Sequence, residues 1–415
     1  MIRNDCQRIC RYLSLTLIQY RYATQPFSLH SITGHGQENL ISKDHSEHFN
    51  KISKNNLHTN SSKMSDSEST EPTTYKDGIK LDAPEPKKKP SKVYAISDLH
   101  VDYKENLEWV SSWPKDRFSS DALIVAGDVT DKLSLLETVL RTFCRKFARV
   151  YFCPGNHELW IRPQENCRDS VIKFQRIMSM CERIGVHVKP SKFQLSEEDS
   201  VWIVPLQSWY ATPEEDRIDS LYLSHPTIKD DIKTSEAMWM DNHLCKWPSL
   251  HGKTKSKYFA SLNEDYVKDY DAPVITFSHM VPRKDLVPPT DEDREHVNRD
   301  RFSRGLGPPP PYKPIKGFNF TRYAGSNIIE TQLRKIGSKV HIYGHQHRNR
   351  DRTIKGIRYV SHCLGNKSEQ AAGDTWGISH WQGPKVVWPL PQEYQESTSE
   401  SNTVTQEMDS KDLQS

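Results

Sequence analysis

"VHIYGHQHRN", residues 340–349, closes an apolar run with Gly344 and then sets two histidines, His345 and His347, one residue apart. Side chains of an extended segment alternate with period two, so both imidazoles can face the same way. Two neutral imidazoles on one face can share a metal ion, or each can serve a different ion. Standing alone, the pair reads more readily as surface histidines on a loop. The rest of the chain decides between these readings.

Six further short runs rich in β-branched and aromatic residues accompany "VHIY": "VYAIS" from Val93, "ALIVA" from Ala122, "RVYFC" from Arg149, "VWIVP" from Val201, "VITFS" from Val274 and "IRYVS" from Ile357. Runs of this length without strict alternation suit strands buried on both faces. Helical patterns separate some of them. "SLLETVLRTFCRKFA" aligns Leu136, Val139, Leu140, Phe143 and Phe147 on one stripe. "RDSVIKFQRIMSMCERIG" opens on the capping residues Asp169 and Ser170 and stops at Gly185, and "SNIIETQLRKIG" repeats the scheme to Gly337. Strands alternating with helices imply an α/β domain with a mainly parallel sheet.

The residues just past each run carry more information than the run itself. Asp98-Leu99-His100 comes after "VYAIS", Gly127-Asp128 after "ALIVA", and Gly155-Asn156-His157-Glu158 after "RVYFC" and one proline. His279 comes after "VITFS", and Gly344-His345-Gln346-His347 after "VHIY". Open α/β sheets bind ligands at the C-terminal ends of their strands. Any one fragment is ordinary turn chemistry, but five in this order, each delivering oxygen or nitrogen ligands, point to a metal site.

The order Asp-x-His, Gly-Asp, Gly-Asn-His-Glu, His, Gly-His-x-His resembles the calcineurin-like metallophosphoesterase superfamily, from Asp98 to His347. The resemblance implies a four-layer α/β/β/α sandwich of two mixed β-sheets flanked by helices, with a dinuclear site above the strand ends. Carried over by position, Asp98, His100 and His347 hold one ion, Asn156, His279 and His345 hold the other, and Asp128 bridges both. His157 then contacts the phosphate and protonates the leaving oxygen. Asp131, the second Asp of "GDVTD", is expected to orient it, with Glu158 as runner-up or as the cap of the following turn.

The chemistry of these residue types agrees. Histidine nitrogens mixed with carboxylate and amide oxygens suit Mn, Fe, Zn or Co better than Ca. Two divalent ions against two carboxylates leave +2 to complement a phosphate ester. Water held between ions about 3.5–4 Å apart loses a proton near neutral pH and becomes the nucleophile. The expected function is therefore hydrolysis of a phosphate ester. The chain departs from the Ser/Thr phosphatases of the superfamily: Lys132-Leu133 stands where they carry Arg-Gly after Gly-Asp-x-x-Asp, and Val101 where Gly follows the first His. A small phosphomonoester or phosphodiester is thus expected rather than a phosphoprotein. Arg283, Arg322 and Arg348 lie near motif ends, and at least two of them read as solvent-exposed charges rather than a clamp on a second phosphate. A non-catalytic scaffold of the same fold and a nuclease are the competing classes. The first expects lost ligands and the second a clustered basic groove.

The remaining sequence bounds the domain. Only 35% of the 415 residues are hydrophobic, so part of the length is not expected to pack. No run of eighteen apolar residues predicts a membrane span, and a net charge of +3 gives no argument for nucleic acid. Residues 1–90 read as a disordered region. Its start, with Arg3, Arg8, Arg11 and Arg21 against Asp5, resembles an organellar transit peptide, and an ordinary tail fits equally well. Met64 offers an alternative start. The domain is expected over 91–390, with a cap or insertion near 207–271 carrying Trp209, Trp239 and Trp247, and an acidic disordered tail over 391–415. "GLGPPPPYKP" from Gly305 reads as an extended proline loop, and this loop and the insertion are where substrate selectivity is expected. Eight scattered cysteines read as free thiols in a reducing compartment. The expected location is cytoplasmic, or mitochondrial or plastid if the start is a targeting peptide.

Overall fold

Ten strands build the chain's framework in a computed structural model that describes residues 90–224, 230–309, 315–378 and 383–390. They are β1 (Val93–Ile96), β2 (Phe118–Ala126), β3 (Phe147–Cys153), β4 (Ser191–Gln194), β5 (Ser200–Pro205), β6 (Val274–Phe277), β7 (Val340–Tyr343), β8 (Arg350–Ile354), β9 (Ile357–Ser361) and β10 (Lys385–Trp388). One sheet has the order β10-β1-β2-β3 and the other β4-β5-β6-β7-β9-β8. Both are mixed: β1, β2 and β3 run parallel with β10 antiparallel at the edge. In the larger sheet β5, β6, β7 and β9 are parallel, and β4 and β8 close the two edges antiparallel.

The seven apolar runs are all strands, and the period-two rule explains why none alternates in polarity. In β2, Ala122, Ile124 and Ala126 face the second sheet with Val93, Ile203, Ile275 and Val340. Leu123 and Val125 face the helices with Leu136, Val139, Leu140 and Phe143. A strand covered on both faces has no polar side. Helix Leu133–Cys144 packs on the smaller sheet, with Phe143 stacked on Trp113 at 5.3 Å. Helix Asn327–Lys335 covers the larger sheet, where Glu330 accepts from the hydroxyl of Tyr359 on β9 at 2.7 Å. The result is the four-layer α/β/β/α sandwich expected from the motif order.

Two helices follow their caps: Asp169 accepts from Ile172 N and Ser326 from Ile328 N. One boundary differs. Phe147, placed on the helical stripe by spacing, is the first residue of β3, because the helix ends at Cys144. The insertion contributes helices Ile232–Met238, Asp241–Leu244 and Lys255–Ser261. It packs onto the domain through Phe259, 2% exposed and edge-on to Phe174 of helix Ser170–Arg183 at 5.4 Å. Its Trp239 lies against Tyr323. The six described cysteines are free thiols. No helix among the described residues is long and apolar enough to cross a membrane. Residues 1–89 and 391–415, which carry the transit-peptide, linker and tail expectations, lie outside the described residues, as do 310–314 of the proline segment.

Candidate metal centre

The motif loops leave β1, β2 and β3 of one sheet and β6 and β7 of the other at a common end of the sandwich. Backbone bonds tie them together: Asp98 N to Gly127 O at 3.0 Å, His100 N to Asp128 O at 3.0 Å and Gly344 N to His279 O at 2.9 Å. A parallel bridge between Ser97 and Cys363 joins the two sheets at this end. Asp98, His100, Asp128 and His347 form one cluster of ligand atoms, and Asp128, His279 and His345 form a second. Asn156 Oδ1 completes the second, 3.2 Å from His279 Nε2 and 3.0 Å from His345 Nδ1. All seven expected ligands are thus gathered in one place, with Asp128 common to both groups.

The backbone is bent to achieve this. Asp98, His100, Asp128, His345 and His347 all have positive φ, between 42° and 68°. For residues with a Cβ that region costs about 1–2 kcal/mol each, and such strain gathers at functional sites. Close approach also fixes two glycines. A Cβ at Gly155 would stand 2.2 Å from Asp128 Oδ1, and one at Gly344 would stand 2.5 Å from Asp98 Oδ2. Gly344 precedes the histidine pair because the chain there passes directly over the Asp98 carboxylate.

Each ring's outward nitrogen identifies the inward one. His279 Nδ1 donates to Ala126 O at 2.8 Å, His345 Nε2 to Tyr323 O at 2.9 Å and His347 Nδ1 to Glu369 Oε1 at 2.8 Å. A carbonyl or carboxylate can only accept, so in neutral rings the inward nitrogens are bare. Those of His279 and His347 face carboxylate oxygens. His279 Nε2 lies 3.3 Å from Asp128 Oδ2, and His347 Nε2 lies 2.9 Å from His100 Nε2 and 3.4 Å from Asp98 Oδ1. Lone pairs aimed at lone pairs need positive charge between them. Without an ion, protons supply it. Burial pulls His279 down, but Asp128 overrides it and raises the ring to about 9. His347 is likewise raised well above its usual range by Glu369 and Asp98 against burial. Burial also opposes ionisation of Asp128, yet His279 and His157 hold that carboxyl well below the usual range. His345, buried beside the charged His279, falls to about 3 and stays neutral. Nitrogen and oxygen donors in this mixture fit transition-type divalent ions.

His157 reaches the same space, with Nε2 3.8 Å from Asp128 Oδ2 and the ring edge-on to His100 at 4.8 Å. Its face stacks on Trp160 at 3.7 Å. Asp131, the expected orienting carboxylate, is paired with Arg162 and makes no hydrogen bond to His157 among the described residues. Asp131 accepts from Arg162 Nε at 2.8 Å, and its Oδ1 is buried without a hydrogen-bond partner among the described residues. Arg162, on the segment that follows His157, takes the side chain that the motif spacing assigned to the imidazole. Glu158 does not orient His157 either. It accepts from the backbone N–H groups of Asp128, Val129, Thr130 and Gly155 at 2.7–3.1 Å. Burial pushes its carboxyl up to about 7, against amides that favour the anion. It clamps the Gly-Asp and Gly-Asn loops onto one another.

The three arginines near motif ends are neither exposed nor free to clamp a phosphate. Arg283 pairs with Glu330 at 2.9 Å, Arg322 with Glu214 and Asp230 at 2.7 Å, and Arg348 with Asp374 at 3.1 Å. Their side chains are 12%, 7% and 19% exposed.

Two buried carboxylates escaped the sequence reading. Glu369, behind His347, begins a helix with the Asn-x-x-Glu capping signature, which marks a helix start and says nothing of a ligand. Asp241 sits in the insertion and accepts from Asn156 Nδ2 at 2.9 Å. Burial raises its carboxyl to about 6. No residue pattern in "MDNHL" signals that contact.

A family model described as calcineurin-like phosphoesterase matches residues 91–349. The [Acyl-carrier-protein] phosphodiesterase PptH of Mycobacterium tuberculosis is 34% identical over 96 residues, 23% of this chain and 29% of that protein. The aligned stretch is therefore under a third of the curated relative's length. The crystal structure of Phosphopantetheinyl Hydrolase (PptH) from Mycobacterium tuberculosis aligns with a TM-score of 0.53 at 20% identity, over 73% of this chain and 98% of that one. At that identity the likeness is one of fold.

Proposed function

Because the chain belongs to the calcineurin-like phosphoesterase family, we propose that it is a metal-dependent hydrolase of phosphate esters working through a two-ion centre. One ion is held by Asp98, His100 and His347, the other by Asn156, His279 and His345, with Asp128 shared. The observation that carries this reading is the set of inward-facing imidazole nitrogens directed at carboxylate and amide oxygens around two adjacent points. With two divalent ions bound there, these residues would hold a centre that lowers the pKa of water and neutralises charge on the phosphate.

The chain's own residues do the rest. Two carboxylate ligands against two dications leave the site with +2, and neutral Asn156 preserves that excess for an anionic ester. His157 donates a proton to the leaving oxygen. Burial lowers its pKa well below the usual range, so proton donation relies on a phosphate arriving beside it. Trp160 covers one face of the ring and keeps bulk water from it.

Between monoester and diester, the sequence relative supports a diester, since PptH is named a phosphodiesterase. The proposed substrate is a phosphodiester with an alkyl leaving group, for which proton donation matters most. The test loads the chelator-stripped chain with Mn, Fe or Zn. It then compares p-nitrophenyl phosphate, bis(p-nitrophenyl) phosphate and a phosphopantetheinylated acyl-carrier protein. Metal-dependent turnover of the diesters is expected, and a chain that binds no transition metal overturns the proposal.

A further inference from the structure

We propose that Asp241, supplied by the insertion rather than by any motif loop, is a positioning residue that orients both the metal ligand Asn156 and the indole beneath His157. The inference rests on the two-ion reading above. Asp241 is 2% exposed. Its Oδ1 accepts from Asn156 Nδ2 at 2.9 Å and from Trp160 Nε1 at 2.6 Å, and its Oδ2 accepts from Trp239 Nε1 at 3.0 Å. One carboxylate therefore collects three donors, two from the Asn156–Trp160 turn and one from its own segment.

Each bond has a separate consequence. An amide can rotate to present either its oxygen or its nitrogen, and only the oxygen can bind a cation. By taking Nδ2, Asp241 leaves Oδ1 of Asn156 facing His279 and His345. By taking the indole N–H, it fixes the rotation of the ring that stacks on His157 at 3.7 Å. The third donor, Trp239, lies parallel to Tyr323 at 4.6 Å, and the Tyr323 carbonyl holds His345 Nε2. The insertion thus reaches two ligands of the second ion and the stacking partner of the acid through a single side chain. A carboxylate is required because it brings no donor of its own. In Asp241→Asn, an isosteric change, one N–H must point at another.

The test uses the full chain, stripped of metal and titrated with Mn while electron paramagnetic resonance follows the spin-coupled signal of two adjacent ions. Asp241→Asn is expected to need about 10–100-fold more Mn to show the coupled signal, as loss of outer partners of metal ligands does. Trp160→Phe keeps an aromatic ring beside His157 and removes the N–H together with the five-membered part of the indole. It is expected to form the coupled pair at wild-type Mn concentrations and to lose at least about tenfold more turnover on an alkyl diester than on a nitrophenyl diester. The basis is that proton donation contributes about 10²–10⁴-fold where it is needed. Asp241→Asn forming the pair at wild-type Mn, or Trp160→Phe losing both esters equally, overturns the inference. If Asp241→Asn does not fold, as circular dichroism would report, Trp160→Phe alone decides. A wild-type chain without the coupled signal overturns the two-ion reading and this inference with it. A wild-type chain that shows it, beside variants that behave identically, overturns this inference only.

Discussion

Replacing Glu369 by Gln tests whether the ligands are tuned from behind. Glu369 is 3% exposed, and its two oxygens have different duties: Oε1 accepts His347 Nδ1–H at 2.8 Å and Oε2 accepts Asn366 N–H at 2.9 Å. Glutamine has one acceptor, so one of these two donors goes unsatisfied. Loss of the outer partner of a ligating histidine costs about 10–100-fold in metal affinity, about 1.4–2.8 kcal/mol at 1.4 kcal/mol per tenfold. A second effect opposes it. Without an ion, Glu369 and Asp98 hold a proton on His347, and that proton must leave before the ion binds. Removing Glu369 lowers the His347 pKa and weakens the competition. Wild-type affinity therefore keeps rising with pH over a range where the variant has already levelled off, and the deficit of the variant grows with pH. The expected deficit is about tenfold at pH 7, approaching about 100-fold at pH 9. Calorimetric Mn titration at both pH values, in buffers of different ionisation enthalpy, measures the affinity and counts the protons released. Equal affinities at both pH values, or a deficit larger at pH 7 than at pH 9, would refute the reasoning.

His157→Ala should keep its metal content by elemental assay while kcat on an alkyl diester falls about 10²–10⁴-fold; unchanged kcat removes His157 from the chemistry. Asp131→Asn, by contrast, disturbs a pair with Arg162, so its kcat–pH profile should stay close to wild type. A loss near the about 100-fold expected for a missing acid would return Asp131 to the site. Gly155→Ala drives a Cβ to 2.2 Å from Asp128 Oδ1. It should lower stability by about 1–3 kcal/mol and abolish tight metal binding, both readable in thermal melts with and without Mn; a melt still raised by Mn as in wild type would count against that crowding.

Legibility in the sequence tracks burial closely. The central strands announced themselves because both faces are covered, which forces a continuous apolar run. The three strands without such a run, β4, β8 and β10, are all antiparallel edges. "SKFQ" and "RDRTI" are largely polar, and "KVVW" has a single fully buried residue. An edge strand needs only one covered face and one partner, so its composition does not distinguish it from a loop. The ligands were legible for a different reason: each lies within a few residues of a strand end, so its position along the chain fixes its position in space. Asp131 marks the limit of that logic. It lies three residues past the left-handed turn at Asp128, and from there its side chain is claimed by a neighbour on another segment. Glu369 and Asp241 lie wholly beyond it, since they reach the site across 22 and 85 residues of intervening chain.

The same geometry shows how the scaffold holds the site. Five ligands in left-handed backbone, at about 1–2 kcal/mol each, represent strain comparable with the about 5–15 kcal/mol net stability of a folded domain. Restraints from neighbouring loops hold these turns. Glu158 gathers four backbone amides from the two loops around Asp128. Asn106 Nδ2 donates to Leu99 O and Gly365 O at 2.8 and 2.7 Å, holding the Asp98–His100 turn against the segment after β9. Gly344 lets β7 end directly above Asp98. Each restraint couples a loop of one strand to the loop of another, so the left-handed turns are over-determined by neighbours that are themselves anchored in the sheets. Rigid anchoring of this kind also accounts for lone pairs held face to face. A flexible site would turn them away from each other, whereas the anchored loops hold them in place, where against burial Asp128 raises His279 and Glu369 raises His347.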